Sequence, residues 1–358
     1  MSKKIRIGIV GFGGIARGAH LPGYVACKDD VEVVAVCDID DNALAIAAEK
    51  CGLPQERLFH DYKDLISSNF VDAVDICTPN YIHCEIANEV LKAGKPFSVE
   101  KPAGINYREV LSLYNNVKKA NVPAFVCFSW RYKPYTRYIK HLIDRGEIGN
   151  LYHIYVRCIK NSGLWEGRRL EWRFDKEKAG TGVLGDLGSH MIDITRFFGE
   201  EFESVFAQSG IIVKKRQKIG SDEIAEVTTD DWCNIAGKLK SNIGVTIAVS
   251  RCATTIDDLI EFELFGDNGT IKYTYLNRTQ NIEICVGKTD MEGNGRHNIV
   301  PPQSFHANQS KSFVDLVNGK IDAYTAQLIQ GVECQKVLEA AELSINTGRS
   351  IKISELEA

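Results

Sequence analysis

Between residues 4 and 129 the chain alternates short apolar runs with stretches of helical spacing. The runs 5–10, 31–38, 73–77, 96–99 and 123–128 are β-branched or apolar and bounded by Gly, Pro or Asp. That is the pattern of parallel strands buried on both faces. Between them, 41–51, 81–93 and 107–121 carry apolar residues at helical intervals. Asn106 is placed to cap the last of these helices, and Gly94 follows the middle one, where a left-handed residue is wanted. Strand–helix alternation over this length predicts an α/β domain with a doubly wound parallel sheet.

Beyond residue 129 the period changes. A helix is predicted over 134–145, a strand over 151–160, a polar loop rich in Arg and Trp over 161–181, and a helix over 182–198. Longer strands follow at 203–213, 231–239, 242–251, 259–265 and 270–276. Asn242-Ile243-Gly244 and Gly266-Asp267-Asn268-Gly269 are turn signals that join neighbouring runs and favour antiparallel pairing. Helices near 310–318 and 326–347 close the chain. The reading is therefore two domains, 1–128 and 129–358, the second α+β with an open, mostly antiparallel sheet.

Composition narrows the partners. At 358 residues, 44% hydrophobic and 25% charged, the chain is an ordinary globular one, long enough for two cores. A net charge of −4 and the absence of a long basic run argue against nucleic acid. The first residues lead straight into a strand pattern rather than a signal peptide, and no apolar segment is long enough to span a bilayer. The 11 cysteines are scattered and never form Cys-x-x-Cys, which fits reduced thiols in the cytoplasm and gives no metal signature.

Gly11-Phe12-Gly13-Gly14-Ile15-Ala16 directly follows the first strand and opens a helix. Glycines there let the backbone turn sharply and let a pyrophosphate approach the helix N–H groups, as in a Rossmann domain. Asp38 ends the second strand, where a carboxylate accepts ribose hydroxyls and repels a 2′-phosphate. Ile39 beside it offers no phosphate anchor, so NAD is favoured over NADP. Thr78-Pro79-Asn80 and His83 follow the strand at 73–77, on the side of the sheet where such ligands lie.

Two further motifs carry acid–base chemistry. Lys101, in Glu100-Lys101-Pro102, lies just past a strand and precedes a proline, which favours extended backbone. Asp186 and His190, four apart on a predicted helix, share a face. A histidine titrates near working pH, and a cationic lysine favours a developing alkoxide.

Gly11–Ala16, Asp38, Thr78-Pro79-Asn80 with His83, Glu100-Lys101-Pro102, and the run from Gly180 through Asp186 and His190 to Asp193 together resemble the signature of the glucose–fructose oxidoreductase / inositol dehydrogenase (Gfo/Idh/MocA) family. The resemblance covers nearly the whole chain. It implies an NAD(P)-binding Rossmann domain joined to a domain whose open sheet builds homodimers or homotetramers. It also implies oxidation or reduction of a secondary alcohol of a sugar, glycoside or cyclitol. Carried over, Lys101 would hydrogen-bond the reacting oxygen, His190 would act as general base, and Asp186 would orient substrate or imidazole. Asp193 would hold the helix face or hydrogen-bond His190.

The chain departs from the family pattern at Cys127-Phe128-Ser129-Trp130-Arg131-Tyr132, where Ser129 is expected beside the nicotinamide and Arg131 beside substrate. Arg157, Cys158 and Lys160 stand on the strand where inositol dehydrogenases place polar contacts, which weakens a myo-inositol assignment. In the 161–179 loop, Trp165, Arg168, Arg169, Trp172 and Arg173 suit either a carbohydrate or an oligomer contact, with Trp172 and Arg173 leaning to substrate. Lys160 is also a substrate candidate, and His306 reads as structural. Two rival functions remain: a glycoside hydrolase that employs NAD for transient oxidation through the same residues, and a non-catalytic sugar sensor, which would be expected to lose the base or the lysine that this chain keeps.

Overall fold

In the computed structural model, which describes residues 4–254, 256–293 and 295–356, the chain forms two units. One holds residues up to 129 together with 307–332; the other holds 130–306 and the residues from 333 onward.

The first unit is built on β1 (Ile5–Val10), β2 (Val31–Cys37), β3 (Leu58–Phe59), β4 (Ala73–Ile76), β5 (Phe97–Val99) and β6 (Ala124–Val126). All pair in parallel, in the order β3-β2-β1-β4-β5-β6. Ile7, Ile9, Val36, Ile76, Phe97 and Val99 are fully enclosed, which explains their unbroken apolar runs. The helices between strands begin where the sequence offers a short polar acceptor. Asp40 caps Asp41–Cys51, Asp61 caps Tyr62–Ser67, and Asn106 accepts from the Glu109 N–H to cap Tyr107–Ala120. Sequence periodicity did not reveal β3 or helix Tyr62–Ser67, which are too short to carry a period.

Residues 307–332 join this unit instead of staying with the rest of the carboxy-terminal half, so a single cut near residue 128 does not describe the chain. The cause is the free edge of β6. Val126 donates its N–H to Ala326 O at 2.8 Å, and Phe125 bridges Gln327 in antiparallel fashion. Helix Gln309–Val317, capped by Asn308, sets Phe313 on Phe125 with ring centroids 5.9 Å apart. An exposed strand edge is thereby covered.

The second unit carries β7 (Leu151–Lys160), β8 (Phe202–Gly210), a small hairpin of β9 (Lys215–Gln217) and β10 (Ile224–Glu226), then β11 (Trp232–Leu239), β12 (Gly244–Ser250), β13 (Asp258–Gly266), β14 (Gly269–Leu276), β15 (Thr279–Val286), β16 (His297–Ile299) and β17 (Ile351–Lys352). Apart from the hairpin they form one sheet, ordered β16-β15-β14-β13-β7-β12-β11-β8-β17, antiparallel except where β7 meets β12. Along β7 the alternation sends Ile154, Val156 and Cys158 inward. Helix Ser189–Phe198 belongs to the covered side: Phe198 meets Phe262 of β13 edge-on at 5.5 Å. β8 stops at Gly210 rather than running to 213, because the N–H groups of Ile212 and Val213 turn to the Asp231 carboxylate at 2.7 and 2.8 Å.

Candidate active site

The glycine loop follows β1. Gly11 has φ +88°, and a Cβ there would meet the Cys77 carbonyl and Thr78 nitrogen at 2.9 Å, so only glycine fits. Gly13 and Gly14 differ. A Cβ on either would meet nothing within 4 Å, so their backbone faces open space. Phe12 is fully buried beneath the loop, while Ile15 is 44% exposed. The helix then passes through one wide turn of π type, Ala16–His20.

Asp38 stands beside this loop and shapes it. Its Oδ2 accepts the Phe12 N–H at 2.6 Å, and its Oδ1 accepts the Asp40 N–H at 3.0 Å. Each oxygen keeps a lone pair for a further donor such as a ribose hydroxyl. Ile39 is 92% exposed and supplies no cation to the place a 2′-phosphate would take. Past β4, the buried Thr78 Oγ1 has no hydrogen-bond partner among the described residues, and Pro79 leads into the short turn Asn80–Ile82. An open glycine backbone, a strand-end carboxylate and an orphaned hydroxyl suit a dinucleotide.

His83 sits otherwise than a cofactor contact would. It is fully buried, with Nε2 2.7 Å from Thr78 O and Nδ1 3.0 Å from Pro102 O. Burial holds its pKa below the ordinary imidazole value. It braces the 78–80 turn against the Glu100-Lys101-Pro102 strand end.

Glu100 is likewise buried and directed inward. Its Oε1 lies 2.9 Å from His20 Nε2, and its Oε2 accepts the Lys101 N–H at 3.1 Å. His20 Nδ1 is in turn 2.8 Å from Asp75 Oδ2. Lys101 itself is half-buried, with Pro102 and Ala103 enclosed behind it. Neither His20 nor Asp75 stands out from periodicity. The available signal was Asp75 itself, a lone carboxylate in the buried run Ala73-Val74-Asp75-Ile76, which demands an interior partner.

In the second unit, the run from Gly182 to Phe198 is buried at every position except Asp186 and His190. Its first part, Leu184–Gly188, is another wide turn, and Ser189–Phe198 is regular helix. The start is tied by a carboxylate that sequence reading missed: Asp230 accepts the N–H groups of Gly182 at 2.6 Å and Leu184 at 2.8 Å. A Cβ on Gly182 would collide with the Asp230 backbone, so that glycine is required by contact. Burial outweighs these bonds and raises the Asp230 pKa.

Several residues expected at substrate are engaged within the second unit. Arg131, 4% exposed, gives a two-pronged contact to Asp193, with Nε to Oδ2 at 2.8 Å and Nη2 to Oδ1 at 2.6 Å. Its guanidinium thus braces the His190 helix rather than facing solvent. Asp193 is taken up by Arg131, with Arg196 3.7 Å away. Lys160 pairs with Asp258 across the β7–β13 ladder at 3.2 Å, and Arg157 pairs with Glu261 at 3.0 Å. Trp172 and Arg173 occupy the short turn Trp172–Phe174, half-exposed, with the guanidinium 4.3 Å over the indole. Arg168, Arg216 and Arg251 surround the buried Phe174 ring at 4.9, 4.1 and 4.4 Å, which anchors this loop. Ser129 begins a short turn and is half-buried.

A dinucleotide-type glycine loop on a parallel sheet, paired with a mixed-sheet unit that presents one carboxylate and one imidazole, defines the class. Residues 5–128 match the oxidoreductase family with an NAD-binding Rossmann fold, and residues 136–272 match the GFO/IDH/MocA C-terminal domain. The chain belongs to this family, and it is an oxidoreductase that uses NAD. It is 32% identical over 269 residues to glucose-6-phosphate 3-dehydrogenase of Bacillus subtilis, covering 75% of this chain and 74% of that protein. It is 28% identical over 269 residues to myo-inositol 2-dehydrogenase of Thermotoga maritima, again 75% and 74%. A solved levoglucosan dehydrogenase, in complex with NADH and L-sorbose, superposes with a TM-score of 0.90 over 99% of this chain and all of that one; at 22% identity this likeness concerns the fold. Among the described residues no helix is long and apolar enough to cross a membrane.

Proposed function

We propose that this protein is an NAD-dependent dehydrogenase acting on a secondary alcohol of a cyclic polyol, sugar or glycoside. The observation that carries the reading is the burial pattern of 182–198, a stretch that shows solvent only Asp186 and His190. The other ionisable groups of the segment, Asp193 and Arg196, are enclosed and paired with Arg131 and Glu201, whereas an accessible carboxylate and imidazole four residues apart suit proton transfer. The relatives' names point to the same chemistry, since all three are dehydrogenases of sugars, a sugar derivative or a cyclitol.

NAD supplies a hydride acceptor when bound. Gly11, Phe12, Gly13, Gly14 and Ile15 would take its pyrophosphate, and Asp38 its ribose. Thr78, Pro79 and Asn80 would border it. His190 accepts the proton of the substrate hydroxyl, Asp186 orients the imidazole or the substrate, and Lys101 stabilises the oxygen as negative charge develops. Trp172 and Arg173 contact the substrate ring. The cytoplasm fits 11 cysteines that are all free thiols. A homodimer or homotetramer fits a sheet whose outward side carries Tyr155 at 40% exposure, against Phe265.

The test is a panel of inositols, aldoses, anhydrosugars and glycosides, each assayed with NAD and with NADP by the absorbance of the reduced nicotinamide. At least one cyclic substrate should yield net NADH with NAD preferred. Sugar release without net NADH would instead indicate redox-assisted hydrolysis. His190→Ala and Lys101→Met should each lower kcat by about 100-fold or more while NAD still binds. Full turnover in both variants rules the mechanism out.

A further inference from the structure

Buried in the first unit is an ionisable group that this chemistry leaves unused. We propose that His20 is a positioning residue for Lys101: an imidazolium clamped between Asp75 and Glu100, which fixes the Glu100 carboxylate on the Lys101 backbone. The inference rests on the catalytic reading of Lys101.

Geometry assigns the charge. His20 is 3% exposed, and its two ring nitrogens lie 2.8 Å from Asp75 Oδ2 and 2.9 Å from Glu100 Oε1. With both carboxylates ionised, each can only accept, and both contacts are hydrogen bonds only when both ring nitrogens carry protons. Asp75 is committed to the charged form by its other neighbours: it accepts from Ser98 Oγ at 2.5 Å and from the Tyr24 hydroxyl at 3.0 Å. Cys77 Sγ lies 3.4 Å from Nδ1, and Cys127 is the remaining ionisable neighbour. Burial alone would strip the proton from His20, but the Asp75 carboxylate raises its pKa well above the ordinary value, while the Cys77 and Cys127 thiols, pushed up by burial themselves, stay neutral. Burial likewise disfavours the Asp75 anion, yet the His20 charge and the bonds from His20, Ser98 and Tyr24 lower its pKa. Both ring nitrogens being spent on carboxylates, the imidazolium offers no lone pair to a metal, although His20, Asp75 and Cys127 cluster at ligand-like spacing.

The clamp has a direction. Glu100 is held by His20 through one oxygen and holds the Lys101 N–H with the other. His20 ends the wide turn Ala16–His20, on the helix that leaves the glycine loop. Wide turns of this kind displace one side chain from the regular helical course and recur at functional sites. One imidazole therefore ties the helix behind the dinucleotide loop to the strand end that bears Lys101.

The experiment combines heteronuclear NMR of the imidazole nitrogens in wild-type protein with kinetics of His20→Gln, Glu100→Gln and Lys101→Met. His20 should show both nitrogens protonated at mildly alkaline pH, with or without NAD. His20→Gln and Glu100→Gln should each lower kcat by about 100-fold, the effect of a small displacement of a catalytic group, with NAD affinity little changed. A neutral imidazole, wild-type kcat in His20→Gln, or kcat and NAD affinity falling together would overturn the proposal. Should His20→Gln fail to fold, the NMR state and Glu100→Gln decide. Full turnover in Lys101→Met would sink the lysine reading instead, and the NMR result would still report whether the clamp exists.

Discussion

Each unit buries an ionic array behind a residue proposed for catalysis, and the two arrays have opposite composition. In the first, one imidazole lies between two carboxylates, Asp75 and Glu100, next to Lys101. In the second, the carboxylate of Asp193, on the helix of His190, lies between two guanidiniums, Arg131 and Arg196, the latter also held by Glu201. A buried charge is tolerable only when paired, so both arrays are obligatory once any member is present. They differ in what pH does to them. The cation of the first is a histidine, whose charge depends on its neighbours; the cations of the second are arginines, which never release a proton in ordinary conditions. The burial cost on Arg196 is outweighed by its bonds to Glu201, at 2.7 and 2.6 Å, which raise its pKa. The lysine side of the proposed chemistry thus rests on a titratable support and the histidine side on a fixed one.

The comparison is broken most severely at Arg131. Arg131→Met removes the two-pronged partner of a fully buried carboxylate and should cost about 3–5 kcal/mol in chemical denaturation. Arg131→Lys should recover little of this, because a point charge cannot reproduce the paired N–H geometry. A loss below 1 kcal/mol, on the order expected for an exposed pair, would mean that Arg196 alone balances Asp193.

Asp75→Asn is the matching cut in the first unit, and its effect should be smaller, about 1–3 kcal/mol, because Glu100 remains to balance His20. The amide nitrogen would nonetheless face donors now served by the carboxylate, Ser98 in the Oδ1 position or both Tyr24 and His20 in the Oδ2 position. Since Asp75 is the main group raising the His20 pKa, the variant should also lose stability at a lower pH on the alkaline side.

That alkaline limb sharpens the contrast further. Folding raises the proton affinity of His20 above its ordinary value of 6.5. Its contribution is therefore complete below that value and is lost as pH rises through the folded-state value. Thermal denaturation of the wild type across this range should show a decline that His20→Gln flattens. A decline of equal slope in both proteins would assign it elsewhere.

How much of this was legible in the sequence follows from where each signal resides. The parallel sheet was readable because its strands are enclosed on both faces and so are apolar throughout. Gly11, Asp38, Lys101, Asp186 and His190 could be singled out as candidates because the chemistry proposed for them fixes their spacing to strand ends and to one another. The arrays were not. His20 and Asp75 stand 55 residues apart in the chain, and Arg131 and Asp193 stand 62 apart, so no local period links them. Arg131, expected beside substrate, is buried because Asp193 is there to receive it. The return of 307–332 to the first unit was equally hidden, because it answers the open edge of β6 rather than any pattern within those residues.

Lys160 provides the smallest and most discriminating cut. It stands on β7 directly across from Asp258 on β13, with the two side chains 32% and 33% exposed and 3.2 Å apart. Water screens such a pair, and holding a long lysine in place costs rotamer freedom, so the pair should contribute no more than about 1 kcal/mol. Lys160→Met should therefore leave denaturation nearly unchanged, in contrast with Arg131→Met in the same unit. The kinetic readout then decides what the lysine is for. If it reaches substrate, KM should rise with kcat and NAD affinity intact, the signature of an interaction equally present in ground and transition states. An unchanged KM would reduce Lys160 to a cross-strand partner of Asp258 and remove it from the substrate side of the proposal. A stability loss as large as that of Arg131→Met would contradict the screening argument itself, and with it the division between buried arrays and exposed pairs.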